Sequence, residues 1–226
     1  MTRVNTNVSL IGIILAVSLL SACATAPSPK SYSAFNSERP RSILVVPTLN
    51  NTGNIQAPEF FLSTISRPFA ERGYYVFPAY MLKRLLEEDG LSDAGLVHAT
   101  DASRLGGLFG CDSVLFVTIQ RWDSKYLVLS TTTNVAFDYT LKSCKTGNTL
   151  WQDKQELVYS PQQNSSGNPL ADLIAQAIVA ALEKGAPNYM PLTMQANAAA
   201  AGTLGKGLPA GPYLSTYQQD GAAFPQ

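Results

Sequence analysis

Histidine occurs once in these 226 residues, at His98, and cysteine three times. That leaves too few ligands for a zinc site of ordinary spacing. A His-centred triad or metal centre would need His98 to act with scattered carboxylates such as Asp101 and Asp112, so a polar loop histidine is the expectation. Charge is scarce as well: 14% of residues are charged, and Lys+Arg and Asp+Glu balance at 16 each. No block of like charge stands anywhere, which excludes the electrostatic footprint of a nucleic-acid binder. Phosphate-cradling loops are missing too. Arg104–Gly110, RLGGLFG, ends a helix instead of opening one, and Gly205-Lys206-Gly207 lacks P-loop spacing. No cofactor is expected apart from the covalent lipid argued below, and no catalytic residue.

The longest apolar run, Val8–Leu20, is too short to cross about 30 Å of hydrocarbon comfortably. It has instead the length of the core of a secretory leader, preceded by Arg3 and the free amine. Leu20-Ser21-Ala22-Cys23 follows directly and resembles the lipobox of bacterial lipoproteins. Small side chains at Ser21 and Ala22 admit the peptide bond before Cys23 to a protease. The Cys23 thiol is the nucleophile that takes up a diacylglyceryl group as a thioether. The resemblance implies cleavage between Ala22 and Cys23, N-acylation of the new terminus, and anchoring by several chains, since one chain binds only marginally. The other reading is an ordinary leader cut near Ala26. In such lipoproteins Asp after the cysteine retains the protein in the inner membrane. Ala24 stands there instead, which points to the periplasmic face of the outer membrane.

The expected organisation is thus a signal peptide over 1–22, a tether over 23–41, a globular domain over 42–186, and a tail over 187–226. Ala24–Pro40 has few large apolar side chains and reads as a flexible tether. The tail is rich in Ala, Gly, Pro, Tyr and Gln, and by composition reads as disordered.

Within the domain, Ile43–Val46 is a buried strand stopped by Pro47, and Leu49–Gln56 is a loop. A helix enters at Ala57-Pro58-Glu59, with Pro68 expected to kink or end it early. Tyr74–Pro78 reads as a strand, Tyr80–Glu88 as a short amphipathic helix, and Asp101 as the cap of a helix closed by Gly110. Ser113–Trp122 is the strongest strand. Asn134–Leu141 alternates, with Val135, Phe137, Tyr139 and Leu141 on one face. The turn Lys145–Asn148 joins it to a further strand over Thr149–Tyr159, and Leu170–Lys184 has the stripe of a final helix. The fold class is α+β, a mixed sheet with helices on one or both faces, in a single domain.

Four blocks, SILVVPTLNNT, GYYVFPAYMLKRLLEEDG, CDSVLFVTIQRW and DYTLKSCKTGNTLW, with GLPAGPY in the tail, resemble a family of bacterial outer-membrane lipoproteins of unknown function. More distantly, the first strand, its loop and the KTG-turn hairpin are similar to three groups. These are curli-secretion lipoproteins, the amino-terminal domain of the Tol-system periplasmic protein, and lipoprotein activators of peptidoglycan synthases. The resemblance implies the same α+β domain and a packed, ordered GLPAGPY, against the compositional reading of the tail. It also implies a binding or assembly role.

Two cysteines remain. Cys111 precedes one strand and Cys144 ends its neighbour, so an oxidising periplasm invites a bridge at one end of the sheet. A tight hairpin around Ser124 would set Cys111 nearer Phe137, and two separate buried thiols are the alternative. A candidate binding face is the loop bearing Asn50, Asn51 and Asn54 with the strand bearing Tyr74 and Phe77, although such a strand is as readily half core. The function expected is a non-enzymatic, lipid-anchored component that binds or scaffolds an unidentified envelope or peptidoglycan-associated partner. The alternatives are an accessory of a transport system for lipid or polysaccharide, and an enzyme with an atypical site.

Overall fold

The computed structural model describes residues 30–127, 130–159 and 189–225. Its elements run α1 (Ser33–Glu38), β1 (Ser42–Val45), β2 (Leu49–Asn50), α2 (Ala57–Glu71), β3 (Tyr75–Val76), α3 (Ala79–Glu88), α4 (Ala94–Ala99) and α5 (Ala102–Phe109). Then follow β4 (Ser113–Leu127), β5 (Ser130–Ser143), β6 (Thr149–Tyr159), α6 (Met190–Gly202) and a short 3₁₀ turn at Gly221–Ala223. The sheet order is β3-β1-β4-β5-β6, with β2 also beside β4. The β3, β1, β2 and β4 contacts are parallel; β4-β5-β6 is an antiparallel meander.

The continuous apolar run of β1 has a simple cause: both of its faces are covered. Ile43 and Val45 pack with α1, α2 and α6, whereas Leu44 and Val46 pack with α3, α4 and α5. On β5 one face alone is buried. Val135, Phe137, Tyr139 and Leu141 lie in the core, and their alternates do not. Asp93 and Asp101 cap α4 and α5 by accepting amide hydrogens, and Gly110 closes α5 at φ 65°. Helix α2 passes through Pro68 and ends only after Glu71, so the proline does not stop it early.

Three expectations are corrected. The tether is shorter than composition implied, because Tyr32 and Phe35 are buried and α1 is folded. The compositional reading of the tail gives way: residues 189–225 are ordered, as the resemblance implied for GLPAGPY. Helix α6 buries Leu192, Thr193, Ala196, Asn197, Ala200 and Ala201, and its alanines are strong helix formers small enough to pack closely on α2. Asn197 ties the layers together by accepting from Tyr139 Oη at 2.8 Å and donating to Thr64 Oγ1 at 2.9 Å. Third, β4 does not turn at Ser124 but continues to Leu127, which pairs with Ser130. The helix expected over Leu170–Lys184 lies outside the described residues.

That longer hairpin decides the cysteines. Ser113 faces Ser143, Cys144 N–H donates to Asp112 O at 2.9 Å, and Cys111 and Cys144 are joined with Cα atoms 6.0 Å apart. Gly106 explains part of the RLGGLFG run, because a Cβ there would sit 2.3 Å from the Cys144 carbonyl oxygen. With its ends 33 positions apart, the bridge is expected to stabilise the fold by about 3–4 kcal/mol in the loop-entropy account. Cys144→Ser should shift a urea midpoint accordingly. Alkylation of both Cys111 and Cys144 in unreduced, denatured protein would refute the bridge.

Candidate binding cleft

The expected binding face does not assemble. Tyr74 is 4% exposed and its hydroxyl donates to Pro209 O at 2.7 Å, so it is core. Phe77 is half-buried against the α3–α5 layer. The three asparagines hold their own loop. Asn50 accepts from Thr52 and donates to Asn54 O, Asn54 accepts from Gln56 N–H, and Asn51 donates to Gln120. Asn50 is level with Ile119, whereas Val76, just before Phe77, is level with Ile43 and through it with Ser113. Six residues of strand, about 20 Å, separate the two halves.

His98 also differs from expectation. It lies on α4, half-buried, with Nε2 3.0 Å from Pro47 O and its ring edge-on to Phe116. A carbonyl only accepts, so Nε2 carries the hydrogen. Burial, and secondarily Lys142, hold its pKa below the ordinary value, partly opposed by the Pro47 bond. This neutral imidazole pins α4 to the loop after β1. Among the described residues no group of three or more His, Cys, Asp or Glu is placed to hold a metal.

The GLPAGPY segment is docked, and the manner of docking is legible atom by atom. Four consecutive carbonyls are each taken by a side chain. Trp151 Nε1 and Lys30 Nζ donate to Lys206 O, Tyr32 Oη to Gly207 O, Arg72 Nε to Leu208 O, and Tyr74 Oη to Pro209 O. Burial, with Asp153 nearby, pushes the Tyr32 phenol up to about 12, so it remains a donor at any physiological pH. Arg72 also pairs with Asp220 at 2.7 Å, and Asp220 accepts from Ala210 N–H. Nothing in composition could announce this, because a strap bound through its backbone leaves little mark on its side-chain pattern.

Where the strap crosses α1 it leaves a cleft of about 300 Å³. Its floor is Phe35, Pro40, Tyr74, Pro209 and Phe224; its rim is Asn36, Arg39, Tyr217 and Gln218. Arg39 and Gln218, at φ 49° and 62°, are the two non-glycine residues with positive φ among the described residues, and both line this cleft. Left-handed backbone costs about 1–2 kcal/mol for residues with a Cβ, and such strain clusters at functional sites. Arg39 caps the C-terminus of α1, and its Nε donates to Asn36 O at 3.2 Å. It makes no ion pair among the described residues. An apolar floor with a few convergent polar groups is the ordinary build of a binding site.

The family described as Putative lipoprotein GNA1162-like matches residues 30–204. This chain belongs to that family. A member from Neisseria meningitidis serogroup B, Putative lipoprotein NMB1124/NMB1162, is 32% identical over 167 residues, covering 74% of this chain and 77% of its own. The crystal structure of lipoprotein GNA1162 from Neisseria meningitidis is similar at TM-score 0.52 and 30% identity, covering 64% of this chain and 99% of that one. The LpoB C-terminal domain from Salmonella enterica aligns at TM-score 0.35 and 18% identity, over 64% of this chain and 93% of that one. The family match stops at residue 204, so the strap and one wall of the cleft lie beyond it.

Proposed function

We propose that this GNA1162-like lipoprotein is a non-enzymatic binding or scaffolding component of an envelope assembly, held by lipid on Cys23 at the periplasmic face of the outer membrane. The cleft is the proposed contact site. The observation that carries the reading is the convergence of both left-handed, non-glycine residues on one cleft with an apolar floor and a polar rim. A pocket of that volume takes a single apolar side chain or a short peptide, and the Arg39 guanidinium at its mouth, in no ion pair among the described residues, suits an adjacent acidic group. The family match and the lipobox support the anchored setting. Lys30, where the described chain begins, lies only seven positions after Cys23. Such a segment reaches at most about 25 Å, so the cleft works close to the membrane surface.

A stability measurement and a binding measurement separate the possibilities. Arg39→Gly relieves the strained backbone and is expected to leave the urea midpoint unchanged or to raise stability by about 1 kcal/mol. A photo-crosslinking residue at Gln218 should capture a partner in intact cells, and Arg39→Glu should abolish that capture. Loss of stability in Arg39→Gly would make the left-handed turn purely structural. Capture that survives Arg39→Glu would remove the cleft from the contact.

A further inference from the structure

We infer that the outer edge of β6 is an isologous interface at which two copies of this chain join antiparallel, extending the sheet through a two-fold axis at Gln155. Among the described residues strand β6 is an edge of the sheet and pairs with β5 alone. Among the described residues no other backbone group bonds to its outer side. Open edges of this length are usually blunted, covered or paired, and a second copy supplies the same unsatisfied donors and acceptors.

Charge fixes the register. Antiparallel neighbours must lie on the same face of the sheet, so a two-fold axis has to pass through a residue. On the outer face Gln152, Lys154, Glu156 and Val158 are exposed. Centring on Gln155 places Lys154 opposite Glu156 of the second copy, and does so twice. Centring on Lys154 opposes two ammonium groups, and centring on Glu156 opposes two carboxylates. Opposite charges facing across strands stabilise, and like charges destabilise. Within each copy Lys154 already lies 3.4 Å from Asp138, and Glu156 pairs with Arg121. The new contacts therefore continue an alternating field of charge across the joined sheets. Val158, 59% exposed, comes to lie over Gln152, and the paired segment is Gln152–Val158.

At the axis the two Gln155 Cβ atoms stand about 5 Å apart, the separation of directly opposed residues. In the full-length chain expressed in its oxidising compartment, Gln155→Cys should therefore give a disulfide-linked dimer on a non-reducing gel. Wild type should not, since Cys111 and Cys144 are bonded to each other. Lys154→Cys alone should stay monomeric, because its opposite residue is Glu156. Lys154→Cys and Glu156→Cys chains expressed together should crosslink. Lys154→Glu should weaken the Gln155→Cys crosslink several-fold, and adding Glu156→Lys should restore it. Both charge variants sit on exposed positions and leave the fold intact. A folded, protease-resistant Gln155→Cys that remains monomeric overturns the interface. Self-crosslinking of Lys154→Cys alone overturns the register.

Discussion

Ending the chain at Gly202 is expected to unfold the domain. The deletion leaves every strand untouched and removes only residues that composition assigns to a loose tail. It takes away Leu208 and Phe224, both essentially fully buried, the second edge-on to Tyr32 at 5.0 Å. Losses of this kind run at about 2–5 kcal/mol for each large apolar side chain. The deletion also orphans the Tyr32, Tyr74, Trp151 and Arg72 donors, each of which would then need water or pay about 1–3 kcal/mol. The sum is as large as the whole stability of an ordinary domain, about 5–15 kcal/mol. A milder variant isolates the docking. Gly211 N–H donates to Arg72 O at 2.9 Å and Tyr213 N–H to Gly73 O at 3.1 Å, capping the open carbonyls after α2. A Cβ on Gly211 would lie 2.2 Å from Gly73 O. Gly211→Ala should thus cost about 2–3 kcal/mol by overpacking. Gly202→Ala, with nothing within 4 Å, should be neutral or slightly stabilising. Urea midpoints and limited proteolysis near residues 200–214 read both. Equal midpoints for Gly211→Ala and wild type, with rapid cleavage of the native strap, would mean the strap is not docked.

How much of this was legible in the sequence depends on where the packing signal resides. Strands β1, β4 and β5 were readable because burial on one or two faces writes period-two or continuous apolar patterns. The N-terminal parts of helices α2, α3 and α5 were readable from caps and spacing. The pattern failed where packing uses the backbone or small side chains. Ala196, Ala200 and Ala201 bury as fully as leucines yet read as low-complexity sequence. The paired ends of β4 and β5 extend past the ends of β1 and β2, so those neighbouring strands leave no mark of the register there, and a turn expected at Ser124 falls short of the observed pairing. The cleft was invisible for a related reason. Its walls come from residues 35–40, 74, 209–210 and 217–224, and two of its defining features are backbone angles.

Cys23→Ser is expected to abolish lipid attachment altogether. The thioether needs a thiolate nucleophile, and a serine hydroxyl is not an alternative substrate for that transfer. The motivating pattern is local and complete: an apolar core over Val8–Leu20, small residues at Ser21 and Ala22, then Cys23. The effect is all-or-none because anchoring is cooperative in chain number. One acyl chain binds a membrane with an association constant of only about 10⁴ M⁻¹, and stable residence takes a second signal. No helix among the described residues is long and apolar enough to cross a membrane, so the described domain supplies no helical substitute anchor. Metabolic labelling with palmitate should mark wild type and leave Cys23→Ser blank. The domain itself should be unaffected, since Cys111–Cys144 is the disulfide that staples it. The mutant's urea midpoint should therefore match that of wild type while partner capture at Gln218 falls, because Lys30, and the domain with it, is no longer held within about 25 Å of the membrane. Equal palmitate labelling in the two proteins would sink the lipid anchor and the membrane-proximal placement of the cleft together. Lost labelling with undiminished capture would keep the anchor and free the cleft from it.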